Sequence, residues 1–127
     1  MKQVQVINAI KALNTLSEQP LPLPISYKLF KLRKWLQPAW DFQIEQEQEI
    51  FKLYPPEKIE NGMFKFKSPE DAQGFKDKMA ELGELEAEIT YEPINISMSE
   101  DIMLTPANIE ALQDFVFFTE PERALTK

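Results

Sequence analysis

Apolar positions Val4, Ile7, Ala9, Ile10, Leu13 and Leu16 recur at near-helical spacing and predict an amphipathic helix over residues 3–17. Val4 and Val6 also alternate as in a strand, so its β-branched start sits against that pattern. Residues 18–24 carry Pro20, Pro22 and Pro24 at every second position. Proline fixes φ and removes an amide donor, which predicts an extended, polyproline-like connector there. From Ile25 the period is again helical. Ile25, Leu29, Leu32, Leu36, Trp40, Ile44 and Phe51 lie close to one stripe and predict a long helix over about residues 25–53. Pro38 falls inside it and predicts a kink or break near Gln37.

Pro55 and Pro56 end that helix. Asn61-Gly62 is a hairpin signal, flanked by a short strand around residues 58–60 and by Phe64 and Phe66 alternating with Lys65 and Lys67. Ser68-Pro69-Glu70-Asp71 is a helix start: a capping hydroxyl, a proline suited to the first turn, and two acids at the positive end of the dipole. Ala72, Phe75, Met79 and Leu82 then predict one inward face, with Gly83 as a left-handed cap. Leu85, Ala87, Ile89 and Tyr91 alternate with Glu86, Glu88, Thr90 and Glu92, which predicts a strand with one wet, acidic face, continued by Ile94 and Ile96. Thr105-Pro106 repeats the capping chemistry, and Ile109, Leu112, Phe115 and Val116 follow at helical spacing. Residues 119–127 read as a loose tail.

The expected fold class is α+β: a helix, a long and kinked helix, then a small antiparallel sheet with two further helices. A chain of 127 residues fits one domain, 1–127, with residues 18–24 as a proline-rich connector.

Composition narrows the chemistry. The chain has no histidine and no cysteine. That excludes Ser-His-Asp and Cys-His nucleophile systems, Cys/His zinc sites and disulfides. Three glycines make a glycine-rich phosphate cradle an unfavoured expectation. Carboxylates are the abundant catalytic type, densest at Glu81, Glu84, Glu86 and Glu88. No calcium-loop spacing accompanies them, and glutamates on a wet face are ordinarily just solvated. Neither a cofactor, a metal nor an enzymatic activity is therefore expected. A small carboxylate-dependent hydrolase is the remaining catalytic alternative.

Net charge is −7 and unevenly spread. Residues 1–40 hold six Lys/Arg against Glu18 alone, and acids dominate thereafter. Along the long helix, Lys28, Lys31, Arg33 and Lys34 precede Glu45, Glu47 and Glu49, an order opposed to the helix macrodipole. The ordinary explanation is two solvated faces; the sharper one is an assembly contact that joins opposite charges of neighbouring molecules. Lys28, Lys31 and Lys34 beside Trp35 and Trp40 also invite a nucleic-acid interface, but the acidic remainder argues against duplex DNA. Trp35, Trp40, Phe42, Phe117 and Phe118 cannot all lie on one inward stripe, and surplus aromatics are enriched at contacts. The candidate interaction residues are thus Lys28, Lys31, Lys34, Trp35, Trp40, Phe42, Glu86, Glu88, Phe117 and Phe118. The longest apolar run, Phe115 to Phe118, is far short of a membrane span, and no leader-like segment opens the sequence, so a cytoplasmic location is expected.

The run Pro24-Ile25-Ser26-Tyr27-Lys28-Leu29-Phe30-Lys31-Leu32, the Glu/Gln-rich helix after it, Phe64-Lys65-Phe66-Lys67-Ser68-Pro69-Glu70-Asp71-Ala72 and Leu104-Thr105-Pro106-Ala107-Asn108-Ile109-Glu110-Ala111-Leu112 together resemble small uncharacterised proteins of phages and prophages of Gram-positive bacteria. The resemblance spans about residues 5–118, and Pro38 departs from its pattern. It implies a viral or prophage setting, in the host cytoplasm or on a virion, and carries no functional residues with it. The expected function is a non-enzymatic accessory role through protein–protein contact, as in virion assembly, with a viral partner, a host partner or a second copy. The alternative is an acidic inhibitor of a host nucleic-acid-binding protein, of the anti-CRISPR or nucleic-acid-mimic kind, working through Glu81 to Glu92.

Overall fold

In the computed structural model, which describes residues 1–97 and 103–119, the first helical pattern forms α1 (Gln3–Leu16). Gln3, Val6, Ile7, Ala9, Ile10, Ala12, Leu13 and Leu16 are buried and cover well over half its circumference. It is accordingly the central helix, packed against three others described below. The Lys2 amide donates to Gln5 Oε1 at 2.7 Å and so closes its first turn.

α2 (Leu23–Leu53) is longer at its start than the proline spacing suggests. Pro22 caps it in an extended conformation and Pro24 falls in the first turn, where a missing amide breaks no intrahelical bond. The connector is therefore shorter than 18–24. Nor does Pro38 break the helix, which runs through it. Pro38 sits on the exposed side, where the carbonyl it leaves unbonded can take water. Ile25, Leu29, Leu32, Leu36, Ala39, Gln43 and Ile50 form the buried stripe. Ile44, expected on that stripe, lies off it and is exposed. The Tyr54 amide donates to Ile50 O at 2.9 Å, ending the helix before Pro55.

β1 (Lys58–Glu60) and β2 (Met63–Lys65) make the predicted antiparallel hairpin, with Glu60 opposite Met63. Asn61 (φ 53°) and Gly62 (φ 76°) both take the left-handed conformation that a two-residue turn of this hand requires. Phe64 stands over a cluster of rings, its centroid 5.2 Å from Phe51, 6.5 Å from Phe66 and 6.1 Å from Phe75. Phe75 belongs to α3 (Pro69–Glu84), whose first turn is capped as expected: Ser68 Oγ accepts from the Asp71 amide at 3.1 Å. Gly83 is not the cap. It lies inside α3, where Val4 of α1 approaches so closely that a Cβ at Gly83 would meet Val4 Cβ at 3.2 Å.

Residues 85–91 correct a further expectation. They carry no ladder. The chain pairs there with the N-terminus through one antiparallel bridge, Lys2 with Glu86. The Gln3 amide donates to Leu85 O (2.7 Å) and the Ala87 amide to Met1 O (2.8 Å). Ala87, Ile89 and Tyr91 still face the core while Glu86, Glu88 and Glu92 are exposed. An extended segment laid against helices shows period-2 burial with or without a neighbouring strand.

The strand lies further on. β3 (Ile94–Ser97) pairs in parallel with β4 (Val116–Thr119), Ile94 opposite Val116 and Ile96 opposite Phe118. The last helix is short, α4 (Pro106–Leu112), with Thr105 Oγ1 accepting from the Asn108 amide at 3.1 Å. Phe115 and Val116, expected on its inner face, follow it in a turn and in β4. Both are buried, but as part of a β-branched and aromatic run that favours a strand. The two sheets are thus one antiparallel pair and one parallel pair. The expected tail beyond Thr119 lies outside the described residues. Ile94, Ile96, Leu112, Phe115 and Val116 close the core begun by α1 and α2. α1 packs against α2, α3 and α4.

Candidate functional site

Once the buried stripe of α2 is spent on the core, its opposite side faces solvent over the whole helix. In the first half this side carries aromatics and cations together. Tyr27 is 59% exposed and Phe30 57%. The Lys31 amine stands 5.6 Å from the Tyr27 ring centroid and 5.7 Å from that of Trp35. Lys34 stands 5.6 Å from Phe30, and the Arg33 guanidinium 5.7 Å from Trp40. Spacings of three, four and seven residues along one helix bring these groups together. Each cation lies over the negative face of a ring; for Lys31 on Tyr27 and Lys34 on Phe30 the arrangement is exposed and worth about 0.5–1 kcal/mol, whereas Arg33 and Trp40 are half-buried beside the core stripe.

Among the described residues, Lys31, Arg33 and Lys34 take part in none of the ion pairs. Those pairs lie elsewhere: Met1 with Glu86, Lys2 with Glu84, Lys52 with Glu49, Lys58 with Glu60 and Lys78 with Glu81. In a chain with 21 acids this is a marked separation of charge. The second half of α2 presents Asp41, Glu45 and Glu49.

The structure divides the candidate residues. Lys31, Lys34 and Trp35 come together, joined by Tyr27 and Phe30, which the sequence reading did not single out; their i, i+4 relation to Lys31 and Lys34 was the available signal. Lys28 lies beside them, but its amine is engaged across the helix–strand boundary, donating to Asn95 O of β3 at 2.8 Å. A groove of about 380 Å³ runs between Lys28, Lys31 and Trp35 on one wall and Glu92, Pro93 and Asn95 on the other. Trp35 and Trp40 are half-buried against the core. Phe42, 40% exposed, belongs to a different groove of about 340 Å³ with Pro38, Leu85, Glu86 and Glu88. Glu86 is engaged by the N-terminal ammonium at 2.5 Å, and Glu88 is exposed. Beside them, the Glu84 carboxylate accepts a hydrogen bond from the Lys2 amine and raises that amine above its ordinary range. On β4, Phe117 is 58% exposed while Phe118 packs partly against the core.

A further groove, of about 540 Å³, is an open trough between α1 and α4, lined by amides and Thr15 with Lys11, Glu110 and Asp114 as its ionisable groups. Among the described residues, no three acidic side chains gather as a metal site would need, and no helix is long and apolar enough to cross a membrane. Compared with protein-family models, with curated proteins and with solved structures, the chain matches none.

Proposed function

We propose that the protein is a non-enzymatic accessory protein of a phage or prophage that acts by protein–protein contact in virion assembly, and that the exposed side of α2 is its contact surface. The observation that carries this reading is the set Tyr27, Phe30, Lys31 and Lys34. Two large rings lie more than half exposed, and two amines stacked on them lack a carboxylate partner among the described residues. Exposed Tyr and Phe rings are residue types enriched at interfaces, and the two amines are free to meet acidic groups of a partner. The phage setting rests on the likeness of residues 24–32, 64–72 and 104–112 to small phage proteins. The alternative, an acidic mimic working through Glu81 to Glu92, draws less support. Glu81, Glu84 and Glu86 are already engaged by Lys78, Lys2 and the N-terminus.

The test is affinity capture from induced lysogens with the wild type and with a Tyr27→Ser, Phe30→Ser variant of unchanged melting temperature. Loss of a specific captured protein by the variant supports the reading. Equal capture by both overturns it.

A further inference from the structure

We propose that the exposed side of α2 is a seam for a second copy of this chain, the two helices lying antiparallel about a two-fold axis at Pro38. This rests on α2 being the contact surface and names a partner for it. At 3.6 residues per turn, Tyr27, Lys31, Lys34, Pro38, Asp41 and Glu45 fall within an arc of about 80°. All six are exposed, and the arc lies opposite the buried stripe of Ile25, Leu32, Leu36 and Gln43.

The charge order along this arc is self-complementary. α2 has 31 residues, so Pro38 is its midpoint. Every charge between Leu23 and Gln37 is positive; after Pro38 come Asp41, Glu45, Glu47 and Glu49, with Lys52 in the last turn. A two-fold axis through Pro38 therefore sets Lys31 opposite Glu45 of the other copy, Lys34 beside its Asp41, and the Tyr27 hydroxyl toward its Glu49. Each of these occurs twice. A parallel pairing would set cations on cations and acids on acids, so charge alone selects the antiparallel arrangement. Within one copy Glu49 already pairs with Lys52, and Lys31 and Lys34 meet only rings, so the remaining charges lack an opposite charge among the described residues. Among the described residues Lys31, Lys34 and Glu45 enter no ion pair, and Asp41 accepts only from the neutral Gln37 amide, at 2.8 Å. Proline at the axis has a short side chain and permits close approach of the two backbones. The contact is isologous and closed, so it yields a dimer and not a filament.

Sedimentation velocity of the full chain against concentration and salt tests this. The wild type is expected to dimerise reversibly, about tenfold more weakly at ~0.5 M than at ~0.05 M salt. Lys31→Glu with Lys34→Glu, and separately Asp41→Lys with Glu45→Lys, should each be monomeric with unchanged circular dichroism. Mixed in equal amounts, the two variants should form a heterodimer, because every pairing across the seam is then again between opposite charges. A wild type monomeric at about 1 mM in low salt, a dimer indifferent to either variant, or a mixture that stays monomeric overturns the seam. If the wild type is monomeric yet captures a foreign protein through Tyr27 and Phe30, self-pairing falls and the contact-surface reading stands. If it dimerises through these charges and captures nothing, the seam stands and the foreign partner falls.

Discussion

The ring of Tyr54 lies directly over Gly74: a Cβ added to that glycine would sit 2.5 Å from Tyr54 Cε1. Tyr54 ends α2 and Gly74 lies within α3, so this contact sets how closely the two helices approach. In an exposed helix, alanine for glycine would gain about 1 kcal/mol. Here Gly74→Ala displaces a half-buried ring, a strain of about 1–3 kcal/mol, and the expected result is net destabilisation in urea titrations. With Tyr54→Ala the obstacle is gone, and Gly74→Ala should then stabilise. This reversal of sign in a double-mutant cycle is the result to look for; a stabilising Gly74→Ala in the wild type would contradict the contact.

Gln3 ties the start of α1 to the middle of α2. It is buried, and its Nε2 donates to Ala39 O at 2.9 Å and to Gln43 Oε1 at 3.3 Å; Gln43 in turn donates to Glu47 Oε2 at 2.8 Å. Gln3→Ala leaves a buried amide oxygen on Gln43 without its donor, so a loss of about 1–3 kcal/mol is expected by thermal or chemical denaturation. A surface glutamine such as Gln48 should tolerate the same change within about 0.5 kcal/mol.

The hairpin turn is a local device. Gly62→Ala forces a side chain into φ 76°, at about 1–2 kcal/mol. Because every side chain of β1 and β2 is exposed, the effect should stay local. Hydrogen exchange should speed at the amides of residues 58–65 while the melting temperature of the whole chain barely moves. A global shift of several degrees would show that the hairpin is cooperative with the core.

Phe115, in the turn before β4, is buried, whereas Phe117, on β4, is exposed. Phe115 is 1% exposed and Phe117 58%. Phe115→Ala should cost about 3–5 kcal/mol, and Phe117→Ala less than about 0.5 kcal/mol. Large losses at both would contradict the exposure of Phe117.

The parts of the fold that the sequence made legible are those decided within a few residues. Ser68 and Thr105 satisfy free amides three positions on, Asn61-Gly62 turns the hairpin unaided, and the α2 stripe declares itself through its period. What escaped was decided between distant segments. The alternation at Leu85 to Tyr91 reports which side faces the core, and says nothing about whether a strand lies alongside. Leu112, Phe115 and Val116 have helical spacing, yet β3 recruits Val116 from 22 residues away. Gly83 looked like a cap because its close neighbour, Val4, is remote in sequence. In the candidate site, Lys31, Lys34 and Trp35 were legible as neighbours on one helix. Lys28 was not, since its role depends on where Asn95 comes to lie. Tyr27 and Phe30 became prominent only once the opposite side of α2 was seen to be taken by the core.

Helix α1, enclosed by three others, bears on how the molecule is made on the ribosome. It is synthesised before all its neighbours, yet its sides are covered in stages: by α2 early, by α3 next, and by α4 only after residue 112 has emerged. Until then Val6, Ile10 and Leu13 remain only partly sheltered on a nascent chain, the kind of surface that chaperones hold and that stalled or truncated products present to one another. Release of fragments ending after α3 should therefore yield aggregating species.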